Sequence, residues 1–231
     1  MRGGAAAGRG KETVKKRAAA AFFVSEGALY TLFLTRDILN AGGTTALKFT
    51  AILLVAVAGM FAGKRREDRL VTAALWLTVC ADVFLLVLDR YYGVGVLLFC
   101  VVQFFYTLRL SPEKPVRALL IRAIPAAAAA AIGSRWGAMT ALPAYYIVWF
   151  AGNLLAAWRG ATKRKKGRSC LFALGLLLFF CCDLCVGLHN LPQAGMPGWL
   201  PGFAQNAMWA FYLPGQIMIL SSTHVWKGEE E

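Results

Sequence analysis

The sequence predicts an all-α integral membrane protein of eight transmembrane helices, arranged as two parallel four-helix repeats with both termini in the cytoplasm. Apolar residues make up 58% of the chain and charged residues 16%, and mean hydropathy is +0.56, outside the range of a soluble domain. Eight apolar runs of spanning length use nearly the whole chain: 18–35, 44–62, 70–88, 91–110, 116–133, 137–158, 169–189 and 202–223. Charge is one-sided. With the N-terminus inside, the inner connections carry twenty Lys and Arg residues and the outer ones only Arg36, Arg90 and Arg135.

That distribution decides what the net charge of +13 means. In a soluble chain it would point to nucleic acid; here the basic residues are topology signals beside a lipid bilayer, and no nucleic-acid partner is expected. An anionic-lipid contact is a secondary reading of the same loops. The host membrane is a bacterial plasma membrane, or the endoplasmic reticulum in a eukaryote. Residues 1–17 read as a mobile basic leader, 18–223 as the membrane domain and 224–231 as a cytoplasmic tail.

The first run has no small-residue cleavage site and carries Glu26, so it reads as a retained helix, with Tyr30 one turn further on the same face. The second opens with Thr44, Thr45 and Lys48. Lys48 either snorkels to the outer interface or turns inward.

The third and fourth runs form a hairpin around the break Asp89-Arg90, and Asp82 lies inside the third, about 18 Å from its inner end. A carboxylate there costs roughly 2.5–3.5 kcal/mol even on the lenient insertion scale, so it faces protein or trapped water. Gln103 and Tyr106 share a face of the fourth run. The fifth run carries Arg122, Pro125 and an alanine stretch that reads as close helix packing. In the sixth, Pro143, Tyr145, Tyr146, Trp149 and Asn153 offer nothing chemically decisive.

The seventh run places Asp183 at a depth like that of Asp82. Cys181, Cys185 and His189 recur at helical spacing, but Asp183 projects away from that stripe, so no metal site is expected and the cysteines read as packing residues. The outer loop LPQAGMPGWLPG suits a lid or an interfacial Trp199 anchor. The eighth run brings Tyr212 and Gln216 onto one face around Pro214-Gly215. Two short motifs carry the internal repeat: Cys80-Ala81-Asp82 and Cys181-Cys182-Asp183, each followed on the next helix by an aromatic-Tyr pair.

The order Lys48, Ala81-Asp82, Tyr106, Cys182-Asp183 and Phe211-Tyr212-x-x-x-Gln216 resembles that of the YhhN family of eight-span membrane proteins, which includes the animal lysoplasmalogenases. Family members typically show Gly-Asp and Ser-Asp at the two aspartates, and often a His where this chain has Gln103. The resemblance implies hydrolysis of the vinyl-ether bond of a lysophospholipid, a lysoplasmalogen, to a fatty aldehyde and glycerophosphocholine or glycerophosphoethanolamine. It implies Asp82 and Asp183 as the catalytic pair and Lys48, Gln103, Tyr106, Tyr212 and Gln216 as substrate-binding residues, with no cofactor.

The residue chemistry suits that reaction. An enol ether is cleaved by protonating its β-carbon, and water captures the resulting oxocarbenium ion as a hemiacetal, which collapses to aldehyde and alcohol. Two carboxyls in a low-dielectric site supply an acid and a nearby anion, the division of labour found in glycosidases. The same buried carboxylates, with Glu26, would also serve a proton-coupled transporter, and polar residues that only glue helices together would make it a lipid-binding membrane protein.

Overall fold

The computed structural model describes residues 3–164, 167–190 and 197–226. The basic pair Lys165-Lys166, most of the outer Pro/Gly loop (191–196) and residues 227–231 of the tail lie outside the described residues. Every regular element described is helical: α1 (Gly3–Ile38), α2 (Thr45–Gly59), α3 (Arg66–Asp82) running into a π-helical segment (Val83–Val87), α4 (Tyr92–Leu110), α5 (Pro115–Gly133) followed by a 3₁₀ turn (Ser134–Trp136), α6 (Ala138–Arg164), α7 (Gly167–Asn190) and α8 (Leu200–Ser221).

Six of these helices are long and apolar enough to cross a membrane, which makes the chain a multi-pass membrane protein. The eight expected runs all form helices, but two differ from the rest. The 15 residues of α2 extend about 22 Å, short of the ~30 Å hydrocarbon core. In α8, Gln205, Asn206 and Gln216 dilute the hydropathy of the helix. Helix α1 begins at Gly3 and so takes in the leader. The first residues of the expected tail are packed rather than free: the Trp226 ring lies 5.1 Å from Phe22, and His224 Nδ1 lies 2.8 Å from Asp68 Oδ2.

Helices α2, α3, α4, α6, α7 and α8 close a ring in that order. Outside it, α1 leans on α2 and α8, and α5 leans on α6 and α4. Exchanging the first four helices for the last four reproduces this arrangement, the pattern that two parallel repeats require. Across the ring interior the symmetry fails. Helix α3 approaches α8 directly, whereas α4 and α7 stay further apart and are bridged by Phe99 and Phe179, whose ring centroids lie 5.5 Å apart.

Glycine and proline set the close approaches. A Cβ at Gly175 of α7 would lie 2.8 Å from the Gly215 carbonyl oxygen of α8, so two bare backbones cross there. Gly95 leaves the space that Leu85 of the π segment occupies. Pro214 has no N–H to give the Ala210 carbonyl one turn back, and the Tyr30 hydroxyl of α1 donates to that oxygen instead at 3.0 Å. Tyr30→Phe is therefore expected to destabilise the fold by about 1–3 kcal/mol. Adding Pro214→Ala, which returns an N–H to Ala210, should recover it. An unchanged unfolding temperature in Tyr30→Phe would contradict this account.

Candidate active site

Asp82 is the last α-helical residue of α3, and the five-residue π segment begins immediately after it. Such wide turns often mark functional positions, because the extra residue per turn re-aims side chains and loosens the ladder. Asp82 is 5% exposed, and its Oδ2 accepts a hydrogen bond of 2.7 Å from the Tyr212 hydroxyl of α8. Asp183 of α7 is half-buried, and its Oδ2 accepts one of 2.5 Å from the Tyr146 hydroxyl of α6. The two carboxyl groups lie within electrostatic reach of each other, and buried Cys182 is within reach of both.

An aromatic layer supports the pair. Phe179 is at its centre, 5.1 Å from Phe150, 5.5 Å from Phe99 and 5.6 Å from Tyr212, and Tyr146 completes it 5.8 Å from Phe150. The rings hold the two tyrosines apart, one hydroxyl for each carboxyl. Beside Tyr146 lies Gln103 of α4. Asn153 Nδ2 donates to Gln103 Oε1 at 2.9 Å and to its carbonyl at 2.8 Å, while Thr107 Oγ1 donates to Asn153 Oδ1 at 2.9 Å and Trp149 Nε1 donates to Thr107 Oγ1 at 3.0 Å. This network occupies the oxygen of Gln103 and leaves its amide nitrogen unpartnered among the described residues. That nitrogen lies toward the Tyr146 hydroxyl.

Asp82, Asp183, Tyr212 and Gln103 therefore gather in one interior site. Gln216 is one turn further along α8 from Tyr212, fully buried, with neither amide atom bonded among the described residues. Lys48 neither snorkels nor stands free. Its Nζ pairs with Asp37 Oδ2 at 2.7 Å and lies 4.9 Å from the centroid of Trp209, itself 5.3 Å from Tyr212. The turn after α1, with Asn40, Gly42 and Gly43 in left-handed conformations, folds Asp37 back to meet it.

Tyr106 is not at the carboxyl pair. Its ring packs 5.4 Å from Phe172, eleven residues before Asp183 on α7 and thus about 16 Å along that helix. The repeat predicts a Tyr106–Asp183 pair by analogy with Tyr212–Asp82. The greater separation of α4 from α7 removes it, and Tyr146 of α6 takes its place. Tyr146, Trp149 and Asn153 are not decisive singly in the sequence, although their i, i+3, i+7 spacing marks one polar-aromatic face.

The cysteine stripe of α7 ends with His189 Nδ1 3.3 Å from the Pro201 carbonyl. The grouping of possible metal ligands among the described residues is Glu67, Asp68 and His224, at the opposite end of the bundle. There, Gly63 gives Asp68 and His224 the room to meet.

A helical bundle with six membrane-length helices and a pair of carboxyls bonded to tyrosines in its interior defines a multi-pass membrane protein with a polar interior site. The YhhN family model matches residues 43–223, and the chain belongs to the YhhN family. No curated protein and no solved structure matches the chain. Helix α1, with Glu26 and Asp37, precedes the matched segment.

Proposed function

We propose that this protein is a membrane-embedded lysoplasmalogenase, with eight membrane-crossing helices, both termini cytoplasmic, and Asp82 and Asp183 as its catalytic pair. The reaction adds water to R–O–CH=CH–R′ and yields R–OH and R′–CH₂–CHO. One carboxylic acid delivers its proton to the β-carbon as the C=C π bond breaks. The other, as the anion, stabilises the oxocarbenium ion. Water then adds to the cationic carbon, its proton returns to the carboxylate that acted as acid, and the hemiacetal breaks its C–O bond to release the alcohol and the aldehyde.

The observation that carries this reading is the pairing itself: two carboxyls from α3 and α7, each bonded to a separate tyrosine and within reach of each other's charge. Gln103, whose nitrogen lies toward the Tyr146 hydroxyl, would donate to the ether oxygen or the attacking water. Gln216 has the same capacity one turn away. Lys48 acts through the Asp37 pair and Trp209, setting the outer wall rather than binding phosphate alone.

The test is fatty-aldehyde release by the purified protein from a lysoplasmalogen, beside an ester lysolipid of matched chain. Aldehyde from the vinyl ether alone is expected. No aldehyde from a folded sample would overturn the reading. Glu26, 1% exposed with both oxygens unbonded among the described residues, favours a second reading as a proton-coupled transporter. That reading requires substrate flux into sealed vesicles without product.

A further inference from the structure

Helix α6 has two working faces. One carries Tyr146, Trp149 and Asn153 toward the carboxyl pair, and the other forms a groove with α5. The groove has a volume of about 260 Å³, with walls of Ile121, Pro125, Val148 and Leu155. Ile121 and Leu155 are exposed at its rim, where a membrane-embedded bundle meets lipid. Two arginines line it, Arg122 from α5 and Arg159 from α6.

Arg122 lacks an explanation in the fold. It is seven residues beyond Pro115, about 10 Å along α5 from the helix start, and only 6% exposed. One guanidinium nitrogen donates to the Ala118 carbonyl at 2.9 Å, Nε has no partner, and no carboxylate pairs with it among the described residues. The side chain passes close over Gly152, where a Cβ would lie 3.2 Å from Arg122 Cγ. A buried, unneutralised guanidinium in a membrane helix is unfavourable, and a phosphate diester relieves it through charge-assisted hydrogen bonds.

We infer that the α5–α6 groove binds a net-anionic phospholipid, its phosphate on Arg122 and Arg159 and the start of an acyl chain along the Ile121, Val148 and Leu155 wall. The volume is too small for a whole lipid, so the rest of the chain stays in the bilayer. Two positive charges with no acidic lining residue select a net-anionic headgroup over a zwitterionic one. Lys114, Arg117 and Lys163 cluster at the same end of the two helices, which places the site in the leaflet where anionic lipid concentrates. The groove is separate from the carboxyl pair, and a lipid seated in it bears on the helix that positions Tyr146.

The test uses the full chain in phosphatidylcholine nanodiscs with and without phosphatidylglycerol, following thermal unfolding. Phosphatidylglycerol should raise the unfolding temperature of the native protein by about 2–4 °C. Arg122→Met should unfold in phosphatidylcholine no earlier than the native chain, since it removes an uncompensated charge, and should lose the phosphatidylglycerol increment. Ala156→Phe, which fills the groove and leaves Arg122 in place, should lose the increment too, and it decides the matter alone if Arg122→Met does not fold. An increment that persists in either folded variant would assign the effect to the basic loops and overturn the site, as would its absence from the native protein.

Discussion

Replacing Asp82 or Asp183 with Asn is expected to lower vinyl-ether hydrolysis by about 10²–10⁴-fold while leaving the protein folded. Asn keeps the size of the side chain and an oxygen in place, so the Tyr212 hydroxyl can still donate at residue 82 and the Tyr146 hydroxyl at residue 183. What is lost is the acid or the anion. Because both roles are needed in one turnover, each single variant should approach the loss of the double variant rather than half of it. The check is aldehyde release together with the unfolding temperature. Turnover retained in both single variants would sink the catalytic pair, and a collapse in stability with no turnover step to blame would favour the helix-gluing role.

The second large effect belongs to Gly175→Val. A Cβ at residue 175 would meet the Gly215 carbonyl oxygen at 2.8 Å, Ile219 Cγ1 at 2.8 Å and the Ile219 amide nitrogen at 2.9 Å. Two of these three atoms are backbone, so no rotamer change relieves the clash and α7 must separate from α8. Overpacking of this kind costs about 1–3 kcal/mol, or roughly 2–12 °C in unfolding temperature for a chain of this size. The damage extends to the site, since Tyr212 is three residues from Gly215 and would be drawn off Asp82. Gly187→Ala, on the same helix with nothing near its added Cβ, is the control and should lower neither property. Equal unfolding temperatures for the two variants would show that the α7–α8 crossing is not fixed by glycine contact.

The helices were legible because their signal is local. Long apolar runs, proline at the start of α5 and charge breaks mark ends that the chain imposes on itself, and Asp82 and Asp183 stand out because a charge in an apolar run is costly wherever it lies. The repeat motif was legible for the same reason. Partners were less so. Tyr106 and Tyr146 look alike in sequence, and only the spacing of α4 and α7 decides which hydroxyl reaches Asp183. The Lys48–Asp37 pair spans a turn whose left-handed residues reverse the chain, and nothing in the apolar pattern reports that reversal.

By itself, the sequence determined that this is a helical membrane protein with two acids held inside it, because hydropathy and the cost of burying charge act residue by residue. Tertiary structure alone decided that Asp82 takes Tyr212 while Asp183 takes Tyr146, that Tyr30 caps the carbonyl freed by Pro214, and that Arg122 opens on a groove. Each depends on the distance between helices far apart in the chain. Those distances follow from how glycines and aromatic rings pack at the crossings, a property of pairs of surfaces that no single stretch of sequence contains.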